Sequence, residues 1–218
     1  MLEIRSYKKA ELSEILKTNN KQGMLRKLER WGVSYTNEGR GNNLTITITE
    51  IANPFKVYCI TELDFDAGAD FQKVRNLYYY FFNDEEFMSM PDEVKEHRMR
   101  ANEKPVSRQA IHGYIAKLDA KELIDRNTKE YIYYFAYKDT QRITDHDEYV
   151  SAWHDYWSDI DNGYKSYEAI MHMRSNYGGV ARKQPIPRIN GIYRAEIKYL
   201  CELIQENIET EIRAYEQF

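Results

Sequence analysis

The sequence predicts an α+β fold, mainly α with small β-hairpin wings, and three observations carry that expectation. Apolar residues recur at helical spacing within 8–17, 22–31, 70–82, 92–99 and 107–118. Two of these helical runs lead into paired short stretches with strand-like alternation, 33–36 with 44–49 and 123–124 with 131–137. Beyond 139 the apolar spacing is helical again, interrupted by one extended basic arm at 180–191. The expected organisation is a first helix-and-wing module over 1–52 and a connector over 53–69. A second module over 70–138, a helical region with the arm over 139–191, and a C-terminal helix over 192–218 complete it.

In the first module, Leu12, Ile15 and Leu16 give a short helix its apolar side. The run Thr18-Asn19-Asn20 breaks that helix and supplies a cap for the next one. Met24, Leu25, Leu28 and Trp31 point inward on the second helix, while Gln22, Gly23, Arg26, Lys27 and Arg30 lie on or beside its outer face. Gly32 stops it, as a left-handed C′ residue does. Leu44, Ile46 and Ile48 then alternate with threonines, and Gly39 and Gly41 place Arg40 on a hairpin tip.

Asn53-Pro54 ends the first module, because a residue before proline avoids the helical region, and residues 55–60 read as a further short strand or an extended connector. Asp70 caps an aromatic-rich helix to Phe82, and Pro91-Asp92 starts another to Met99. After a turn at 102–105, Ser107 is an N-cap for a helix whose core side is Ile111, Tyr114, Ile115 and Leu118. Gln109, His112, Gly113, Ala116 and Lys117 occupy its other face. A glycine inside a helix costs roughly 1 kcal/mol relative to alanine, so the missing side chain at Gly113 points to close approach. Either another backbone or the groove of a ligand such as duplex DNA fits that space. A charged turn, 125–130, then joins Leu123-Ile124 to the alternating Tyr131, Tyr133, Phe135 and Tyr137.

Val106-Ser107-Arg108-Gln109-Ala110-Ile111, then Tyr114-Ile115-Ala116-Lys117-Leu118, then Lys121-Glu122-Leu123-Ile124 resembles the recognition-helix segment of winged helix-turn-helix regulators, the GntR and MarR-like group in particular. It departs from that pattern at Glu122, where a glycine commonly precedes the Leu-Ile pair. Two such modules in tandem are similar in plan to plasmid and phage replication initiators. The resemblance implies a double-stranded-DNA-binding protein, acting in transcription regulation or in replication initiation. Gln22, Arg26 and Arg30 in the first module, and Gln109, His112 and Lys117 in the second, would then face the major groove. Lys27, Arg40, Ser107, Arg108, Arg126 and Lys129 would meet backbone or a minor groove.

Composition bounds these expectations. The formal net charge of −4 and pI near 5.8 argue against nucleic acid as a partner of the whole surface. Its distribution is uneven: residues 1–44 hold nine Lys/Arg against five Asp/Glu, whereas 45–92 hold three against nine. Residues 93–139 hold ten against eight, so the helix-and-wing segments are the basic parts of an acidic chain. Cys59 and Cys201 have no metal-like spacing, and the N-terminus lacks the apolar core of a signal peptide, so a reduced cytoplasmic setting is expected. No apolar run approaches a membrane span.

Helices are expected from Thr144-Asp145 to Ile160 and from Tyr167 to Tyr177, the second closed by Gly178-Gly179. The last helix carries an apolar stripe through Tyr193, Ile197, Cys201, Ile204, Ile208, Ile212 and Tyr215, which suits either a homodimer contact or the body of its own chain. No metal or cofactor is expected and the chain is not read as an enzyme. His146 and His154, eight residues apart, stand roughly 12 Å apart on a helix and cannot share one ion without other ligands. A metal-dependent hydrolase built on them is therefore the weakest alternative. A protein-interaction scaffold that uses the winged modules on a partner is the stronger one.

Overall fold

The computed structural model describes residues 1–100, 105–138 and 140–216. The chain opens with β1 (Ser6–Lys8), α1 (Lys9–Leu16), α2 (Lys21–Trp31), β2 (Val33–Glu38) and β3 (Thr45–Ile51). Helices α3 (Pro54–Thr61), α4 (Phe71–Asn83), α5 (Glu85–Ser89), α6 (Asp92–Met99) and α7 (Arg108–Ala120) follow. Three short strands, β4 (Ile124–Asp125), β5 (Tyr131–Tyr137) and β6 (Thr140–Thr144), lead to α8 (His146–Asp161) and α9 (Ser166–Tyr177). Last come β7 (Val180–Pro185), β8 (Arg188–Ile189) and α10 (Arg194–Glu216). The fold is α+β, mainly helical with small antiparallel sheets.

Packing gathers the chain into two compact units. One holds residues 1–79, 114–123 and 191–218; the other holds 80–113 and 124–190. Helices α4 and α7 contribute residues to both. The breaks between the units fall after residues 79, 113, 123 and 190, the last one residue from the boundary drawn at 191.

In the first unit, Asn20 caps α2 by accepting from the Gln22 N–H, and Gly32 ends it at φ 78°. Both residues take the roles their chemistry dictates. β1, β3 and β2 form one sheet in that order, both pairs antiparallel. Leu12 and Leu16 from α1, Met24, Leu28 and Trp31 from α2, and Leu44, Ile46 and Ile48 before and along β3 are buried together with Tyr7 and Val57. β1 was not expected from sequence. It is only three residues long and offers Tyr7 alone to the core.

Residues 55–60 are helical, which corrects the strand or connector expected there. Asn53 accepts from the Lys56 N–H and Pro54 occupies the first turn of α3. Asn-Pro here is a cap followed by a proline that lacks only an N–H the first turn leaves unbonded, not a helix stop. α10 lies against α3 and buries Ile197, Leu200, Leu203 and Ile204, whereas Ile212 and Tyr215 near its end are exposed.

In the second unit, the ribbon expected between 123–124 and 131–137 does not form. β4 pairs with β8, and β5 is the central strand of an antiparallel sheet in the order β6-β5-β7. The six-residue turn at 125–130 is too long for a tight hairpin. Lys138, left-handed at φ 51°, instead turns the chain directly from β5 into β6. The basic arm is likewise corrected: its first half is β7, paired with β5 from Ala136↔Val180 to Tyr131↔Pro185. At its start a Cβ on Gly179 would stand 2.8 Å from the Ala136 nitrogen, so only glycine fits against the central strand. α8 and α9 cover this sheet, with Phe135, Ala152, Met173 and Ala181 buried between. The expected turn at 102–105 falls mostly outside the described residues. Among those described, no helix is long and apolar enough to cross a membrane.

Candidate nucleic-acid interface

On α2 the apolar side is buried, so the opposite side is left to solvent by the same periodicity. Gln22, Arg26 and Arg30 are exposed there, at steps of four residues, or about 6 Å along a helix axis. Arg26 has no hydrogen bond or ion pair among the described residues. Arg30 comes no nearer than 3.8 Å to Asp66, across two well-exposed side chains, a contact of little energy. Lys27 behaves otherwise: it is half-buried and donates to the Leu16 carbonyl at 2.6 Å. Arg40 is exposed at the tip between β2 and β3, flanked by Gly39 and Gly41 at φ 78° and 61°. A Cβ on Gly39 would meet the Asn43 carbonyl oxygen at 2.4 Å, so that glycine fixes the tip.

Lys117 also belongs to the first unit, half-buried, with its ammonium donating to the Asp64 carbonyl at 2.7 Å and lying over the Phe65 ring. Just beyond, Glu122 sits at φ 60°, a left-handed conformation that favours glycine. The departure from the winged-helix pattern thus falls on a backbone position where the customary glycine would be relaxed. Glu122 accepts from the Tyr193 hydroxyl at 2.7 Å, a contact glycine could not make.

The second unit brings the N-terminal half of α7 to a cavity of about 980 Å³. Ser107 accepts from the Ala110 N–H at 3.3 Å and is the cap its position predicts. Arg108, Gln109, His112 and Arg126 all line the cavity. Nothing lies within 4 Å of a Cβ built on Gly113, so among the described residues no backbone uses its missing side chain. Lys129, in the turn before β5, is exposed and unpaired among the described residues.

Sequence reasoning missed the groups that order this cavity. Glu93, nearly buried at 9 % exposure, accepts from Arg108 Nη1 at 2.7 Å and from Arg182 Nη1 at 2.6 Å, both on Oε1. Its Oε2 accepts from the Tyr134 hydroxyl at 2.9 Å. Burial and that bond raise the Tyr134 pKa above the ordinary phenol value. Beside it, Asp92 Oδ2 stands 3.4 Å from His112 Nδ1, which lies 3.3 Å from Arg126 Nη2. Gln184 closes this edge by accepting from the Asp92 N–H at 3.1 Å. Lys95, wholly buried, donates to the Met90 carbonyl and sits 3.7 Å from Asp92; burial lowers its pKa to about 8.

The available signals were indirect. Asp92 and Glu93 open a helix, where acids are expected from the dipole alone. Arg182 and Lys183 stood out as basic, but their strand pairing was not legible.

His146 and His154 are exposed and lie 3.6 and 3.8 Å from their neighbouring aspartates, and the His146 ring also meets the Tyr133 ring edge-on at 5.2 Å between centroids. No group of three or more His, Cys, Asp or Glu side chains is gathered as a metal site among the described residues.

No family model, curated protein or solved structure matches the chain.

Proposed function

We propose that this protein binds double-stranded DNA through the exposed face of α2 and the exposed N-terminal half of α7. The observation that carries the proposal is the row Gln22, Arg26 and Arg30. Here the amphipathic logic of α2 leaves one glutamine and two arginines outward, with Arg26 free of any partner among the described residues. Glutamine and arginine are the side chains that read adenine and guanine in a major groove about 12 Å wide, which admits one helix. The order β1-α1-α2-β2-β3, with Arg40 at the ribbon tip, supports treating the first module as a winged helix with α2 as its recognition helix. In the second unit Gln109 and His112 are exposed and Gly113 leaves room for close approach. Within this proposal the protein acts in transcription regulation or in replication initiation.

Labelled duplex of mixed sequence, titrated with the intact protein between 50 and 200 mM salt, tests this. Affinity is expected to fall steeply, with a log–log slope reflecting several neutralised phosphates. Absence of duplex binding at 50 mM salt overturns the proposal. A second reading, a protein-interaction scaffold, rests on one observation: Trp157, Tyr167 and Met171 on α8 and α9 are all more than half exposed. Partner binding there would be nearly insensitive to salt.

A further inference from the structure

We infer that the cavity of the second unit is a binding site for a small phosphorylated molecule, of the size and charge of a nucleoside polyphosphate. The tether at its wall is the reason. Arg108 and Arg182 reach the same oxygen of Glu93, each through Nη1, so one nearly buried carboxylate holds two guanidinium groups side by side. Each arginine keeps its remaining N–H donors, and the side chains, 54 % and 44 % exposed, both line the cavity. A planar guanidinium presents five donors in a fixed fork, so two forks pre-set by a third group match the oxygens of a phosphate. The Tyr134 hydroxyl fixes the other oxygen of Glu93, which locks the tether in one orientation.

Charge and volume agree with that ligand. Arg126 and Lys183 add cations to the lining, which outnumber the two carboxylates Asp92 and Glu93. A cavity of about 980 Å³ lies at the upper end of small-molecule sites, far beyond the needs of a lone inorganic ion. Gln109 offers an amide group that can pair with a base or sugar, and the Tyr149 ring lines the same space. The cavity shares Gln109 and His112 with the α7 part of the proposed duplex interface but none of the α2 row, so it is tested separately from duplex binding by α2.

Calorimetric titration of the intact protein with pyrophosphate and with ATP, in EDTA, tests the inference. Saturable one-to-one binding is expected, tighter for ATP than for pyrophosphate. Arg182→Ala should weaken it roughly tenfold or more, the loss of one charge-assisted fork. Arg108→Lys keeps the charge and the fold but loses the fork, and is expected to weaken binding by a similar factor, with an unchanged circular dichroism spectrum. No heat from either ligand at millimolar concentration overturns the inference, as does affinity unchanged in both variants. Binding of a short single-stranded oligonucleotide without pyrophosphate or ATP binding also overturns it, because the phosphate would then belong to a polymer. Duplex DNA in a parallel cell keeps the two proposals separable, since either can fail alone.

Discussion

The double variant Arg26→Ala, Arg30→Ala is expected to bind duplex DNA roughly tenfold to a hundredfold more weakly at about 100 mM salt, with a shallower salt dependence. Each arginine that neutralises a phosphate contributes about one unit to the slope, and one that reads a base edge contributes about 1–3 kcal/mol of discrimination. Both side chains are exposed, so their removal should leave stability within about 0.5 kcal/mol of the parent. Lys27 supplies the internal contrast. Its ammonium is held on the Leu16 carbonyl, so Lys27→Ala should affect stability and leave the salt slope nearly intact. An unchanged slope in the double variant would remove α2 from the interface.

The second large effect concerns Lys95 and pH. Burial lowers its folded pKa to about 8 from an unfolded value near 10.5, with Asp92 opposing the shift and Arg126 adding to it. The unfolded chain therefore holds the proton more tightly than the folded one. Below pH 8 the buried ammonium carries its full penalty; between pH 8 and about 10.5 the folded state sheds the proton first, and stability rises with pH. The swing is on the order of 3–4 kcal/mol over the whole window, at about 1.4 kcal/mol per pKa unit. Other groups run the opposite way: the buried thiol of Cys59 and the buried phenols of Tyr58 and Tyr78 have raised pKa values. They favour the folded state less as the pH climbs past their unfolded values. The useful quantity is thus the difference between parent and Lys95→Met in urea unfolding, in which these shared terms cancel. The parent should gain on the variant from pH 8 to 10; a difference flat across that range would show that Lys95 keeps an ordinary pKa.

Much of this structure was legible because apolar spacing and caps act locally. α2 is the clearest case: Asn20, Gly32 and the Met24-Leu28-Trp31 stripe specify its start, its stop and its buried face, and hence the outward row. Strand pairing was not legible in the second unit. Leu123-Ile124 and Tyr131–Tyr137 looked like partners because they are neighbours in sequence, whereas β5 takes β7 from more than forty residues downstream. That long-range pairing also brings Arg182 to Glu93, so the ordered half of the cavity could not be foreseen from α7 alone. Four of the twelve residues singled out from sequence, Arg108, Gln109, His112 and Arg126, do line that cavity. Lys27 and Lys117 are instead held on carbonyls of the chain itself. Outward helical phase predicts direction, but not which long side chain finds a carbonyl to fold back upon.

Backbone hydrogen exchange of the intact chain, with and without a saturating duplex, addresses the proposed interface most directly. Slowed exchange is expected in α2 (Lys21–Trp31), at the Arg40 tip and in the first turns of α7, with α8 and α9 unchanged. Duplex binding that slows exchange only in α8 and α9, leaving α2 and α7 as they were, would contradict it.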